Sequence, residues 1–447
     1  MKGFDVLEKQ VKRHIFLIFL TFLTFSIILS LFSYDQVVNQ YGTTLVYAAN
    51  NLKNKEINLN ITHNVTVNKW LFDNSIKNYT DVSVPKNQKI LVFVMEQTTL
   101  DAFLEAVNDI PEDKNFFKLT YNQSIYFKNY YTQNQDSRTS IWDMLNSVFI
   151  PFECYLSNWN KYYGSVLSSN NLVQFFQSKG YKTVAVSSVY TPNLILAAYP
   201  WDDLIYLKEF DENNPDFICL HEFEFQQGCE DKILLPDIKK FLLENKNKSI
   251  FMLQELIAGH GEDFVKLLGR HQIYYYNDYF LEIYNFLKEN DLLENTNIII
   301  VSDHGNKGYE LKRLSDYRIP LVIINQNIKG HLDVNELFTH NDFKNILIDF
   351  LNGKPFKKRV NSTYIIGQTA SNELAYVDDR GNYFLGLLKS NDFILKDSKG
   401  FSLDDIKEKI ELLLAYRNLM QNESMQQNNY CKYCDRNLKL VESKRVS

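Results

Sequence analysis

Ile298-Ile299-Ile300-Val301-Ser302-Asp303-His304-Gly305 is the stretch whose reading sets the fold class. Four β-branched residues in a row, behind the polar Glu294-Asn295-Thr296-Asn297, read as a short strand buried on both faces. Such strands belong to parallel sheets covered by helices, where ligand sites lie just beyond the carboxyl ends of the strands. Here that end delivers Asp303 and His304 side by side, then Gly305, which lets the backbone turn away. A carboxylate beside an imidazole suits a divalent metal, supplying one hard oxygen and one borderline nitrogen. An Asp-Gly type turn that happens to contain a His is the competing reading of the tripeptide.

Working outward, Lys89-Ile-Leu-Val-Phe-Val-Met-Glu96 reads as a second buried strand with a carboxylate at its exit. Helical spacing follows over Gln97 to Val107, and a strand-like stretch holds Ile125, Tyr126, Phe127, Tyr130 and Tyr131. Next comes Gln135-Asp136-Ser137-Arg138-Thr139-Ser140, ahead of Ile141, Met144, Leu145 and Val148 at helical spacing. Hydroxyls at such a place are ordinarily N-caps. Otherwise they offer a nucleophile where the helix N-terminus favours an incoming phosphate or sulfate. Leu172–Lys179 reads as a helix stopped by Gly180, and Tyr181–Ser187 as a third strand. A helix over Asp237–Glu244 precedes a fourth strand, Ser249–Leu253, which leads to Gln254, Glu255 and Gly259-His260-Gly261. Tyr276, Phe280, Ile283 and Leu287 mark one helix face, Arg318–Ile324 a fifth strand, and His340-Asn-Asp342 the start of a helix from Phe343 to Leu351. His271 reads as solvated or packed, and His340 as an N-terminal helix residue in preference to a group behind the metal ligands. Strands alternating with helices over residues 88–355 call for an α/β fold with a doubly wound, mostly parallel sheet. Beyond Pro355, Thr363–Ile366, Glu373–Val377, Tyr383–Leu388 and Phe393–Leu395 look like a small antiparallel meander, closed by a helix over Leu403–Leu419.

The net charge of −6 and the absence of a basic stripe argue against a nucleic-acid partner. Ile15–Phe32 is apolar apart from four hydroxyl residues, at 1.5 Å per residue about the thickness of a hydrocarbon core. Lys2, Lys9, Lys12 and Arg13 precede it, and no Lys or Arg follows until Lys53. The expected organisation, in preference to a cleaved signal peptide, is a cytoplasmic tail (1–14), an uncleaved transmembrane anchor (15–34) and an extracytoplasmic stalk with three sequons (35–85). A catalytic domain (86–355), a small β-meander plus helix (356–420) and a polar tail (421–447) follow. Exported chains can form disulfides, and Cys219 with Cys229 is the natural pair. Cys431-x-x-Cys434 alone is a weak zinc signal, since four ligands are needed.

A carboxylate after the first strand, hydroxyls at a helix start and Asp-His after a late strand would meet at one sheet edge. With these the chain resembles the sulfatase-like branch of the alkaline phosphatase superfamily over roughly residues 86–350. The resemblance is carried by Val94-Met-Glu96, Arg138-Thr-Ser-Ile-Trp-Asp-Met-Leu145, Val301-Ser-Asp-His-Gly305 and Arg318-Ile-Pro-Leu321. In detail it looks most like lipoteichoic acid synthases and phosphoethanolamine transferases, with Glu96 after strand one and Thr139 followed by Ser140. A sulfatase would carry C/S-x-P-S-R for conversion to formylglycine. Counting back from Ser137-Arg138 puts Asn134 and Asp136 at the Cys and Pro positions. The resemblance implies one divalent ion (Zn2+, Mn2+ or Mg2+), with a second left open, held by Glu96, Thr139, Asp303 and His304. It implies Thr139 as nucleophile, His260 as phosphate contact or acid, and Arg138 and Ser140 at the substrate. It further implies a phosphodiester substrate, a membrane lipid or a surface glycan, with water or an alcohol as second acceptor. A sulfatase and an inactive surface-anchored binding module are the other function classes.

Overall fold

A computed structural model describes residues 57–60, 83–147, 171–188, 199–208, 217–223, 226–257, 271–305, 313–358, 362–366, 373–389 and 392–426. The apolar run Ile15–Phe32, the Gly259-His260-Gly261 stretch, Cys154, Cys431 and Cys434 lie outside them. In chain order the first half holds β1 (Ile57–Asn60), β2 (Lys89–Met95), α1 (Leu100–Asp109), α2 (Phe116–Leu119), β3 (Ser124–Tyr131), α3 (Ser137–Asn146), α4 (Leu172–Ser178), β4 (Lys182–Ser187) and β5 (Asp203–Tyr206). Then come β6 (Cys219–Phe223), β7 (Gln226–Cys229), α5 (Leu235–Glu244), β8 (Ile250–Leu256), α6 (Gln272–Glu289), β9 (Thr296–Ser302), β10 (Leu321–Ile324), β11 (Leu332–Thr339) and α7 (Phe343–Leu351). The last elements are β12 (Ser362–Ile366), β13 (Glu373–Asp378), β14 (Tyr383–Lys389), β15 (Asp392–Lys399) and α8 (Leu403–Gln426). From β2 onward all belong to one unit, Asn58–Ser447.

Eight strands form the main sheet in the order β11-β3-β10-β9-β2-β8-β4-β5. Every pairing is parallel except the two made by β10, which runs opposite to β3 and β9. The apolar runs explain this architecture. In β2, Ile90, Val92 and Val94 join a core with Trp142 and Leu145 of α3 and Phe343 and Leu347 of α7. Leu91, Phe93 and Met95 face the other way, against Phe103 of α1 and Tyr276 and Phe280 of α6. A strand sandwiched in this manner needs apolar side chains on both faces, as at Ile90 to Met95, and each contributes on the order of 2 kcal/mol by burial.

Five strands in the order β1-β15-β14-β13-β12 make the second sheet. Tyr376, Phe384 and Phe393 pack in one cluster with Ile406, Ile410, Leu413 and Leu414 of α8. β6 and β7 form a hairpin in which Cys219 and Cys229 stand opposite each other and are joined by a disulfide, as expected. Among the described residues, no helix is long and apolar enough to cross a membrane.

Several boundaries differ from expectation. α1 begins at Leu100 rather than Gln97: Gln97 takes a left-handed conformation (φ 48°), and Thr99 caps the helix by accepting from the Ala102 N–H. β8 runs on to Leu256, which places Gln254 and Glu255 inside the sheet. β10 starts only at Leu321, after Pro320, which has no N–H to give to a ladder. α3 starts at Ser137, four residues ahead of its first apolar position. β1, β5, β6, β7 and β11 have no counterpart in the sequence reading.

Candidate metal centre and nucleophile

β2 and β9 are neighbours in register, with Met95 opposite Ser302. The next residue of each strand therefore emerges at the same edge, and these are Glu96 and Asp303. Glu96, Asp303 and His304 are all buried, and one ligand atom from each lies within 4.8 Å of the others. The imidazole Nε2 of His304 is 3.3 Å from Glu96 Oε1 and 3.4 Å from Asp303 Oδ2. Its Nδ1 is 2.7 Å from the carbonyl of Gly305. A carbonyl only accepts, so Nδ1 carries the hydrogen and Nε2 turns a lone pair toward the two carboxylates. Two carboxylates and an imidazole lone pair converging out of water form a concentration of negative charge that a divalent cation offsets. The donor set therefore fits such an ion.

Polar contacts from behind hold this edge. The Gln97 N–H donates to Asp303 Oδ1 at 2.9 Å, a bond its left-handed backbone makes available. Ser302 Oγ donates to the His304 carbonyl at 2.8 Å, and the Thr98 N–H donates to the same hydroxyl oxygen at 2.9 Å. From α6, Gln272 Nε2 donates to the Glu96 carbonyl at 3.0 Å, and the Tyr276 hydroxyl oxygen accepts from the Glu96 N–H at 3.3 Å. Burial first, with Asp231 and Glu96 nearby, pushes the Tyr276 phenol well above its ordinary pKa. Gly305 is needed for space: a Cβ there would sit 1.7 Å from the Asp316 carbonyl oxygen.

His340 is fully buried and not a simple helix-start residue. Its Nε2 is 2.7 Å from the Asp303 carbonyl, and its Nδ1 is 3.0 Å from the Tyr130 hydroxyl. Burial lowers its pKa to about 4, partly countered by the Asp303 hydrogen bond. His271 is exposed and caps α6, accepting from the Ile273 N–H at 3.4 Å.

The hydroxyl at the centre belongs to Ser137. Its Oγ is 3.1 Å from Glu96 Oε2, 3.3 Å from Glu96 Oε1 and 3.3 Å from His304 Nε2. Thr139 is placed otherwise than the metal-ligand expectation: its Oγ1 donates to the Asp136 carbonyl at 3.1 Å. Ser140 Oγ donates to the Asn134 carbonyl at 2.9 Å and lies 3.2 Å from Thr132 Oγ1, so it serves the loop before the helix. The physical reason is the helix start. Asp136 is the capping residue: its carbonyl accepts from the Ser140 N–H, and its carboxylate accepts from the Thr139 N–H at 3.4 Å. Ser137 is thereby the first helical residue, one turn nearer the strand exits than the sequence reading set it. Asp136 itself, a preferred N-cap residue just ahead of the helical segment, was the signal that could have located this start. The side chain of Arg138 and the whole of His260 lie outside the described residues.

A family model described as Sulfatase matches residues 88–353. A protein in the alkaline phosphatase superfamily from Vibrio parahaemolyticus has a similar structure, with TM-score 0.59 and 14% identity, 81% of this chain and 95% of that one being covered. The lipoteichoic acid synthase LtaP from Listeria monocytogenes superposes with TM-score 0.51 and 14% identity, covering 78% of this chain and 97% of its own. A third, the PsFucS1 sulfatase from Pseudoalteromonas sp., gives TM-score 0.49 at 15% identity over 76% of this chain and 91% of its own. No curated protein matches the chain by sequence.

Proposed function

The chain belongs to the sulfatase family, and on that premise we propose a metal-dependent enzyme that transfers the phosphoryl substituent of a phosphodiester through a covalent intermediate on Ser137. The observation that carries the reading is the Ser137 hydroxyl standing within 3.3 Å of both Glu96 oxygens and of His304 Nε2. This replaces Thr139 as the nucleophile. When bound by Glu96, Asp303 and His304 beside the Ser137 hydroxyl, a Zn2+, Mn2+ or Mg2+ ion would supply the positive charge that eases loss of that proton.

In the first half-reaction the Ser137 oxygen forms a bond to phosphorus while its proton passes to Glu96 Oε2, 3.1 Å away. The bond from phosphorus to the leaving alcohol breaks, and that oxygen takes a proton, for which His260 is the assigned donor. Water or a second alcohol then gives its proton to His260 and displaces Ser137, which recovers its own from Glu96. The first turn of α3 favours the anionic group throughout. The substrate we propose is a phospholipid head group or a surface glycan outside the cell, reached by a chain anchored through Ile15–Phe32. An oxidising setting is supported by the Cys219–Cys229 disulfide.

A sulfuric ester hydrolase is the second reading, because counting C/S-x-P-S-R from Ser137 places Ser137 and Ser140 at the first and fourth positions. Thr139 and Ile141 then stand where Pro and Arg belong, which favours an unmodified hydroxyl. The test uses the purified full chain with Mn2+ on bis-p-nitrophenyl phosphate and on p-nitrophenyl sulfate, with mass spectrometry of the Ser137 peptide after acid quench. Phosphodiester turnover and a phosphorylated Ser137 are expected. Turnover of the sulfate alone with formylglycine at position 137 would replace this reading by the second, and no turnover with no bound metal would leave a binding module.

A further inference from the structure

We propose that His340 is a positioning residue for the assigned metal ligands Asp303 and His304, and that the Tyr130 hydroxyl steadies its ring by donating to the nitrogen that carries no hydrogen. This rests on the metal reading above and adds a residue to it.

One peptide group joins Asp303 to His304, and both of its polar ends are hydrogen-bonded. The Asp303 carbonyl accepts from His340 Nε2 at 2.7 Å. The N–H of the same peptide, that of His304, donates to Asp303 Oδ1 at 2.6 Å. Both ends of the peptide that joins the two ligands are therefore tied, which fixes ψ of Asp303 and φ of His304 together. A swing of this plane would move a carboxylate and an imidazole at once, so this is the most economical place to hold the pair.

The tautomer follows from the partners. Because a carbonyl only accepts, Nε2 carries the hydrogen, and Nδ1 offers its lone pair to the Tyr130 hydroxyl 3.0 Å away. The two rings meet edge to face, with centroids 5.5 Å apart. The turn that presents His340 is itself fixed: Asp342 Oδ2 accepts from the Thr339 N–H at 3.1 Å and from Thr339 Oγ1 at 3.3 Å. In the sheet order β3 and β10 separate β11 from β9. His340 follows β11 and reaches the exit of β9, so the imidazole joins strands that share no ladder. A residue serving only to fill space would need neither nitrogen matched to a partner of the right polarity.

The experiment compares the full chain with His340→Leu, His340→Gln and Tyr130→Phe. Apparent Mn2+ affinity is read from free Mn2+ by electron paramagnetic resonance, and the melting temperature is taken without metal. His340→Leu is expected to weaken Mn2+ binding about tenfold or more, the usual effect of removing a group that orients a ligand. Gln places an N–H donor near the position of Nε2, so His340→Gln should recover most of that loss, and Tyr130→Phe should fall between. Equal Mn2+ affinity in His340→Leu and the unaltered chain would overturn the proposal, as would His340→Gln binding no better than His340→Leu. If His340→Leu fails to fold, the other two decide: both matching the unaltered chain would overturn it. Failure of the unaltered chain to bind Mn2+, Zn2+ or Mg2+ would instead remove the metal reading beneath it.

Discussion

The exits of β9 and β11 each deliver a fully buried histidine, and the two are used in opposite ways. Each ring ties one nitrogen to a backbone carbonyl at 2.7 Å, His304 through Nδ1 to Gly305 and His340 through Nε2 to Asp303. What differs is the group facing the other nitrogen. His304 Nε2 meets two carboxylates and the Ser137 hydroxyl, whereas His340 Nδ1 meets a single neutral phenol. The first surroundings favour a cation in place of a proton, and the second leave a neutral ring with nothing further to bind. Burial and residue type are shared, so the opposing groups alone separate the proposed ligand from the proposed brace.

The comparison breaks most visibly at the nucleophile beside His304. Ser137→Ala should lower phosphodiester turnover by at least roughly a hundredfold, the effect of removing a covalent route, while Mn2+ affinity stays within about tenfold of the original. Turnover close to that of the unaltered chain would take Ser137 out of the reaction. Next in size is Gly305→Ala. A methyl group cannot share 1.7 Å with a backbone oxygen, so the strand exit or the Asp316 turn must shift. Roughly 3 kcal/mol of stability and much of the metal affinity should go, as measured by urea unfolding with and without Mn2+.

The His340 side of the comparison predicts a pH dependence. Its folded-state pKa lies at about 4, below the ordinary 6.5 of an unfolded chain. A depressed value means the folded state holds the proton less well. The corresponding stability is present above pH 6.5, is lost progressively as the pH falls toward 4, and changes little from this group below that. The full excursion is about 3 kcal/mol by the usual conversion. Urea midpoints between pH 7 and 4 should fall for the unaltered chain and show a flatter profile for His340→Gln. Identical profiles would mean that His340 is not held neutral by its surroundings.

Legibility in the sequence tracked how much each segment is constrained by burial. β2, β4, β8 and β9 were readable because both of their faces are covered and each carries a run of apolar residues through its middle. Once those strands are aligned, Glu96 and Asp303-His304 follow, since a strand exit has no freedom of register. β11 was not readable: Leu332-Asp-Val-Asn-Glu-Leu-Phe-Thr339 is exposed over much of its first half and shifts register between Val334 and Leu337. Missing that strand left His340 without its place at the edge of the site. Ser137 escaped for a different reason. A helix start is fixed by the capping residue and not by the apolar pattern, and the pattern of α3 begins only at Ile141.

The smallest expected effect is also the sharpest discriminator, because Thr139 and Ser137 lie two residues apart on one helix. Side chains two positions apart point about 160° from each other, so they cannot both face the strand exits. Thr139 Oγ1 is engaged with the Asp136 carbonyl, and the residue is fully buried. Removing its hydroxyl and methyl groups in Thr139→Ala should cost about 1–2 kcal/mol of stability through lost packing and one lost hydrogen bond. Turnover should stay within about tenfold of the original and Mn2+ affinity should not move, since the groups around Ser137 keep their places. The pair Ser137→Ala and Thr139→Ala then sorts the possibilities by pattern. A dead Ser137→Ala beside an active Thr139→Ala supports the hydroxyl seen between Glu96 and His304. The reverse pattern, with Thr139→Ala folded, metal-loaded and inactive, would require the first turn of α3 to be rotated in the working enzyme. In that case the N-cap at Asp136 must give way, and Asp136→Ala should raise the activity of the unaltered Thr139 chain; with the cap as described, Asp136→Ala can only lower it.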